Sequence, residues 1–476
     1  MACRTRVKAS EVTSCENGRA RGEVPGRLDC DGVNRRSSGA QEGPSSGEVV
    51  RAGQRHPIER NCSGGARIVT SEALRGERIG NWIDAWVTSH VAELVETRRT
   101  IHAHPELGYV EHRTTDLIVD RLRVAGLEPK VLEHGTGVIC DIGAGDQVVV
   151  LRADIDALPL FDTKDVSYRS RIEGVAHACG HDAHTAIVLG VAKVLSELGD
   201  SGEFGEPATL GGRIRCVFQP AEEQVPGGAL EVLKAGALDG VLAAFAVHCD
   251  PTLAVGKVGL KVGPITAACD AVKVTLTGPG GHTARPHMTV DLVDALGRVI
   301  TATPGLLSRQ IDPRAGLSLV WGAVGAGIAA NTIPESGTLH GTARLLDRDS
   351  WDEAEKLIRR LIAEVVAPTG AQVQIDYQRG VPPVVNDAGP IEVLRAAAHE
   401  TVGAEGISST EQSLGGEDFA WYADHAPIGF ARLGTDGGGP PLDLHRGSFD
   451  IDERALSIGV RLLARTALRA LAGETG

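Results

Sequence analysis

The run Val148-Val149-Val150-Leu151 leads into Arg152-Ala153-Asp154-Ile155-Asp156-Ala157-Leu158-Pro159. A short β-branched run of this kind reads as a strand buried on both faces. Residues 184–198 follow as an apolar, Ala-rich helix. Residues 213–218 read as a strand, 228–234 as a helix and 242–247 as a strand. Strands that alternate with helices predict an α/β fold with a mixed, mostly parallel sheet, whose ligands gather at the carboxyl ends of the strands.

Upstream, Trp82, Ile83, Trp86, Val87, Val91, Leu94 and Val95 recur at helical spacing. Residues 114–124 form a second amphipathic helix, which Gly126 stops. Residues 1–75 are rich in Arg, Gly, Ser and Glu and show no hydrophobic period. They are expected to be a disordered extension, because they bury too little apolar surface to offset ordering entropy.

Downstream, the character changes near Cys269. Val272, Val274 and Leu276 alternate with polar neighbours, as in a half-exposed strand. Helical patterns at 292–307 and 351–366, with strand-like runs at 317–324, 337–345 and 372–377, complete a β-α-β-β-α-β order. That order predicts a ferredoxin-like α+β domain at 268–384, inserted between catalytic segments 76–267 and 385–476. Residues 390–403 and 452–471 return to helix.

With 476 residues the chain exceeds one compact core. Its formal net charge of -14 repels phosphate backbones, so no nucleic-acid partner is expected. No apolar run has the length of a membrane span, and the N-terminus lacks an apolar secretory core, so a cytoplasmic location is expected. Nine cysteines without an export signal read as free thiols or metal ligands.

The densest chemistry is His177-Ala178-Cys179-Gly180-His181-Asp182-Ala183-His184, which opens the helix at 184–198. Thiolate and imidazole are the ligands that zinc-like metals favour, and Cys179 and His181 in an extended turn can reach one centre. Gln219-Pro220-Ala221-Glu222-Glu223 follows the strand at 213–218. Adjacent buried carboxylates repel unless a cation sits between them. One then binds metal while its neighbour takes a proton from water. A solvated helix start explains the same pair equally well when it stands alone. His248 and His445 each end an apolar run, and Asp154 and Asp156 stand where a carboxylate can orient a ligating histidine. Two turn-forming aspartates are the plainer account of the last pair. Gly280-Gly281-His282 reads as a tight turn presenting His282; Asn331-Thr332-Ile333-Pro334 and Arg344 fit similar presenting roles.

Together with Gly416-Glu417-Asp418-Phe419, this ordered set resembles the aminoacylase/carboxypeptidase family of metal-dependent amidohydrolases, which includes hippurate and auxin-conjugate hydrolases. The resemblance spans residues 80–470. It implies two divalent ions per subunit, zinc or manganese, with cobalt or nickel as alternatives. It implies Cys179, His181, Glu223, His248 and His445 as ligands, Glu222 as general base and Asp156 as a supporting catalytic residue. The inserted domain would act as a lid through which a homodimer forms. His282 would polarise the scissile carbonyl in the partner's site, and Asn331 and Arg344 would hold substrate carboxylate or the dimer. Arg285 stands where the family often has an apolar residue. The implied reaction is hydrolysis of a small-molecule amide, an N-acyl amino acid, with no nucleic-acid or membrane partner. A dipeptidase or carboxypeptidase on the same scaffold, a thiol hydrolase using Cys179 and a non-catalytic binding protein are the competing readings.

Overall fold

The computed structural model describes residues 71–201, 210–440 and 442–473. The expected extension therefore lies outside the described residues up to 70. Its last five positions belong to the helix Ser71–Ala103, which starts earlier than the hydrophobic spacing indicated.

Strand Val148–Asp154 is buried at every position. It lies inside an eight-stranded sheet of order Lys130–Val131, Val138–Gly143, Arg213–Gln219, Val148–Asp154, Val241–Ala254, Ile428–Asp436, Val258–Leu260, Ile407–Ser409. Four of these strands, from Arg213–Gln219 to Ile428–Asp436, are mutually parallel. Antiparallel pairs flank them. Chain order explains where a ligand belongs. From Val148–Asp154 the chain moves to Arg213–Gln219 on one side, then crosses to Val241–Ala254 on the other. Diverging crossovers leave a crevice beyond the carboxyl ends of these strands.

The two faces of the sheet bury different cores. Val149, Leu151 and Ala153 point into a cluster with helices Ser71–Ala103, His181–Asp200 and Arg454–Leu471. Val150, Ala244, Ala246 and Phe430 point the other way, toward Ala229, Val232 and Phe419. Period-two alternation thus serves both layers with apolar side chains.

A separate four-stranded antiparallel sheet runs Ser318–Ala326, Ser336–Leu345, Ala268–Thr277, Gln372–Val381. Helices Leu292–Leu307 and Arg348–Val366 cover one of its faces and share its core. The order β-α-β-β-α-β is that expected from the sequence.

Two features differ from the sequence reading. The strand expected at 242–247 continues to Ala254, so His248 lies inside it rather than beyond its end. Pairing with Ile428–Asp436 carries it past Pro251, and the register shifts between Gly434 and Asp436 where proline offers no N–H. Strand Ile428–Asp436 itself was not foreseen: Gly429, Arg432 and Gly434 interrupt its apolar pattern. Among the described residues no helix is long and apolar enough to cross a membrane.

Candidate metal centre

Asp154 is the last residue of its strand, and Glu222 and Glu223 follow the strand ending at Gln219. His248 comes from the next strand across. Cys179 and His181 flank Gly180, whose φ of 96° caps helix His181–Asp200 in the left-handed region. A Cβ on residue 180 would stand 2.8 Å from Cys249 Cβ, so both the turn and the close approach require glycine. His445 arrives from the loop after Ile428–Asp436. Its backbone N donates to Ala178 O at 2.8 Å, tying that loop to the Cys179 turn.

Five side chains named from the sequence therefore meet. Cys179, His181 and His248 can each offer a ligand atom within 4.8 Å of the others; so can Cys179, Glu223 and His445. Cys179 is common to both groups. Its Sγ is 3.4 Å from His248 Nε2. His445 Nε2 is 3.1 Å from Glu223 Oε1.

Asp156 orients two of these side chains. His181 Nδ1 lies 3.0 Å from Asp156 O and 3.2 Å from its Oδ1. A carbonyl only accepts, so Nδ1 carries a proton and Nε2 is the nitrogen that faces the centre. Asp156 Oδ2 also accepts from Glu223 N at 2.9 Å. His184 has a different job. Its Nδ1 pairs with Asp154 Oδ1 at 2.6 Å and its Nε2 accepts from Cys249 N at 2.8 Å, which uses both nitrogens. His177 is buried outside the cluster, and burial pushes it down to about 3.

Charged networks invisible in the sequence hold the frame. Arg152 Nη1 donates to Asp154 Oδ2 at 2.6 Å and Nη2 to Asp418 Oδ1 at 2.8 Å, with Glu417 Oε1 3.0 Å away. Arg98 Nε donates to Asp182 Oδ2 at 2.7 Å, and His102 Nδ1 is 2.7 Å from the same oxygen. Asp182 thus anchors the helix start. No local pattern marks Arg98, because its partners come from distant segments.

The electrostatics are those of a site short of positive charge. Burial raises the Cys179 thiol well above its usual range, and Glu223 and Glu222 add to this. Burial likewise raises Glu222 well above the carboxylate range, helped by Glu417 and Glu223. Burial lowers His181, but Asp154 and Asp156 outweigh it and raise the ring to about 10. His181 Nε2 is buried without a hydrogen-bond partner. It faces Asp154 Oδ2 at 3.7 Å, Glu222 Oε2 at 3.8 Å and Glu223 Oε1 at 4.0 Å. Thiol, imidazole and carboxylate donors that gather around the unpartnered His181 Nε2 form a set that fits divalent ions of the zinc–manganese group.

The centre opens into a cleft of about 360 Å³ lined by Cys179, Glu222, His248, Arg344, Arg432 and His445, among others. Arg344 comes from the four-stranded sheet. His282 and Asn331 do not line this cleft. They are exposed neighbours on a two-stranded ribbon, where Thr283 N donates to Asn331 O at 3.2 Å.

Thiol, imidazole and carboxylate donors gathered at the switch point of an α/β sheet form the kind of set that holds catalytic metal ions. The chain belongs to peptidase family M20/M25/M40, whose model matches residues 150–469; the family contains metal-dependent hydrolases acting on amide bonds. The chain is 36% identical to the N-acetyl-L-cysteine deacetylase of Bacillus subtilis (strain 168) over 381 residues, 80% of this chain and 88% of that one. It is 47% identical to a Rhodococcus jostii (strain RHA1) protein bearing the name of a glutamate–cysteine ligase, over 81% of this chain and 47% of that one. This chain therefore spans about half the length of that relative. Among solved structures, the YXEP protein of Bacillus subtilis, a dinuclear metal-binding peptidase, superposes with a TM-score of 0.69 at 32% identity, covering 81% of this chain and 99% of that one.

Proposed function

We propose that this chain hydrolyses the amide bond of N-acyl amino acids, with Glu222 as general base. The observation that carries the reading is the convergence of Cys179, His181, Glu223, His248 and His445 on one centre with Glu222 beside it. Cys179, His181, Glu223, His248 and His445 would hold two divalent ions, which would supply Lewis acidity toward water and the amide carbonyl. Glu222 accepts the proton of the attacking water and returns it to the leaving amine. Burial, with Glu417 and Glu223, raises the Glu222 carboxyl above the ordinary carboxylate range, which strengthens it as a base. Asp156 keeps His181 and Glu223 in place. Arg344 supplies a cation at the cleft for the substrate carboxylate. The relative named N-acetyl-L-cysteine deacetylase supports an N-acyl amino acid as substrate.

Residues 268–384 act in this reading as a lid and dimerisation domain inserted between catalytic segments 76–267 and 385–476. His282 and Asn331 are exposed and apart from the cleft of their own chain, as expected if a second copy receives them. Edge strand Ser318–Ala326 offers unpaired backbone and exposed Val320 and Val324 for that contact. A cytoplasmic location fits the five free cysteines among the described residues, including Cys140 and Cys216, which face each other across two strands. The thiol-hydrolase reading is weaker, because burial and two glutamates keep Cys179 protonated until a cation arrives.

The test is a panel of N-acetyl and N-benzoyl amino acids and dipeptides, assayed with and without chelator while bound metal is quantified. Chelator-sensitive release of amino acid from the acyl compounds, with close to two ions per chain, is the expected result. Cleavage of dipeptides alone would move the assignment to a dipeptidase, and full activity without metal would overturn it.

A further inference from the structure

Among the described residues Arg432 is a buried cation with no ion-pair partner. It is 7% exposed and sits on strand Ile428–Asp436, directly opposite His248 in register. Directly opposed residues share a face, so its side chain runs alongside the metal-ligating histidine. Gly259 lies on its other side, where a Cβ would approach Arg432 Cβ to 3.2 Å.

The other buried arginines among the described residues are neutralised. Arg98 meets Asp182, Asp450 and Glu453. Arg152 meets Asp154, Glu417 and Asp418. Arg465 meets Asp84 and Glu400. Among the described residues Arg432 has no carboxylate within ion-pair distance and no hydrogen bond, and the Phe430 ring lies 5.2 Å from its guanidinium. The two acids that act on it through space are engaged elsewhere. Asp250 accepts from Thr252 N and Oγ1 at 2.8 and 2.6 Å. Glu417 accepts from Phe419 N at 3.0 Å and pairs with Arg152. A buried cation left unpaired is costly, and a planar guanidinium is shaped for two parallel bonds to a carboxylate.

Arg432 reaches solvent through the same cleft as Cys179, Glu222 and His248. Arg344 enters that cleft from the opposite sheet, and its Nη1 already donates to Leu414 O. The cleft thus carries two separate guanidinium groups, from strands of two different sheets, beside the candidate metal centre.

We propose that Arg432 forms an anion subsite, so that the preferred substrates are N-acyl amino acids carrying a second carboxylate. This deepens the amidohydrolase reading and rests on it. The second carboxylate can sit on the acyl half, as in an N-succinyl amino acid, or on the amino-acid half, as in an N-acyl glutamate. Arg432 is a specificity-determining residue here; Glu222 remains the base.

The experiment compares N-acetyl-alanine, N-succinyl-alanine and N-acetyl-glutamate with metal-loaded wild type, Arg432→Lys and Arg432→Met. The wild type should favour one dianionic compound by at least about tenfold in kcat/KM, and which one identifies the half that Arg432 reads. In Arg432→Met the ratio of dianionic to monoanionic kcat/KM should fall by about a hundredfold, with Arg432→Lys between the two. Metal content should stay equal across the three proteins. Succinate, but not acetate, should raise the Tm of the wild type and lose that effect in Arg432→Met. An unchanged ratio, or an equal loss on all three compounds together with lost metal, overturns the subsite and makes Arg432 a partner of the metal ligands. If the wild type cleaves none of the amides, the amidohydrolase reading fails, while the succinate shift still decides whether Arg432 binds an anion.

Discussion

His445 Nε2 lies 3.1 Å from Glu223 Oε1, joining a loop near the end of the chain to the carboxyl end of strand Arg213–Gln219. The His445 backbone has φ 59°, a left-handed conformation uncommon outside glycine, and its N–H is tied to Ala178. Strain at a residue whose side chain joins a ligand group is consistent with a position held for chemistry.

His445→Ala should remove a ligand from the group that includes Cys179 and Glu223. Metal analysis after dialysis should show close to one ion lost per chain, with turnover reduced at least about a hundredfold. Full occupancy at normal turnover would exclude His445 from the centre.

Glu222→Gln keeps the shape of the side chain and removes its basicity. Turnover should fall by about a hundredfold to ten-thousandfold while metal content stays unchanged. Near-normal turnover would remove Glu222 from the proton relay.

His282→Ala should be as severe as the loss of an oxyanion donor, about a hundredfold or more. Because His282 stands outside its own cleft, refolding His282→Ala together with Glu222→Gln should regenerate sites that contain one intact copy of each. Activity well above either variant alone supports a shared site; no recovery in a dimeric mixture argues that each chain works with its own residues.

Arg152→Met should destabilise the fold by about 3–5 kcal/mol, because Asp154, Glu417 and Asp418 lose a common buried partner. Urea unfolding measures this directly, and a change below about 1 kcal/mol would mean that those carboxylates find protons or other donors instead.

Glu111 gives a pH-dependent prediction. Burial raises it from the ordinary 4.5 to about 7, with Asp156 adding to the shift. The folded state holds a proton that the unfolded chain releases, so this group's contribution is fully present below about pH 4.5 and is lost as pH rises through 7. Glu111→Gln should therefore melt increasingly above the wild type between pH 5 and pH 8. A Tm difference that does not vary over this range would show that Glu111 titrates normally.

Much of the fold was legible because short-range patterns decided it. The helix at 292–307 has the bounds read from its period, and the alternation of Val272, Val274 and Leu276 is the burial alternation observed. Strand Ile428–Asp436 was not legible. Arg432 and its glycines carry no strand signal, and the segment becomes a strand through parallel pairing with Val241–Ala254. The site divides in the same way. Its ligand types could be read from two dense motifs, whereas His184 carries the same signal as His181 and differs only in what surrounds it.

The sequence by itself determined which segments alternate, which faces are apolar and which residue types with metal chemistry cluster along the chain, because each follows from neighbours a few positions apart. Only the tertiary structure decided that Cys179 is common to both candidate ligand groups, that Asp154 engages His184 while Asp156 holds His181 with its Nε2 toward the centre, and that Arg432 alone among the described buried arginines lacks an acid. Those outcomes depend on distances between side chains brought together by strand pairing and crossover direction, and no spacing along the chain encodes them.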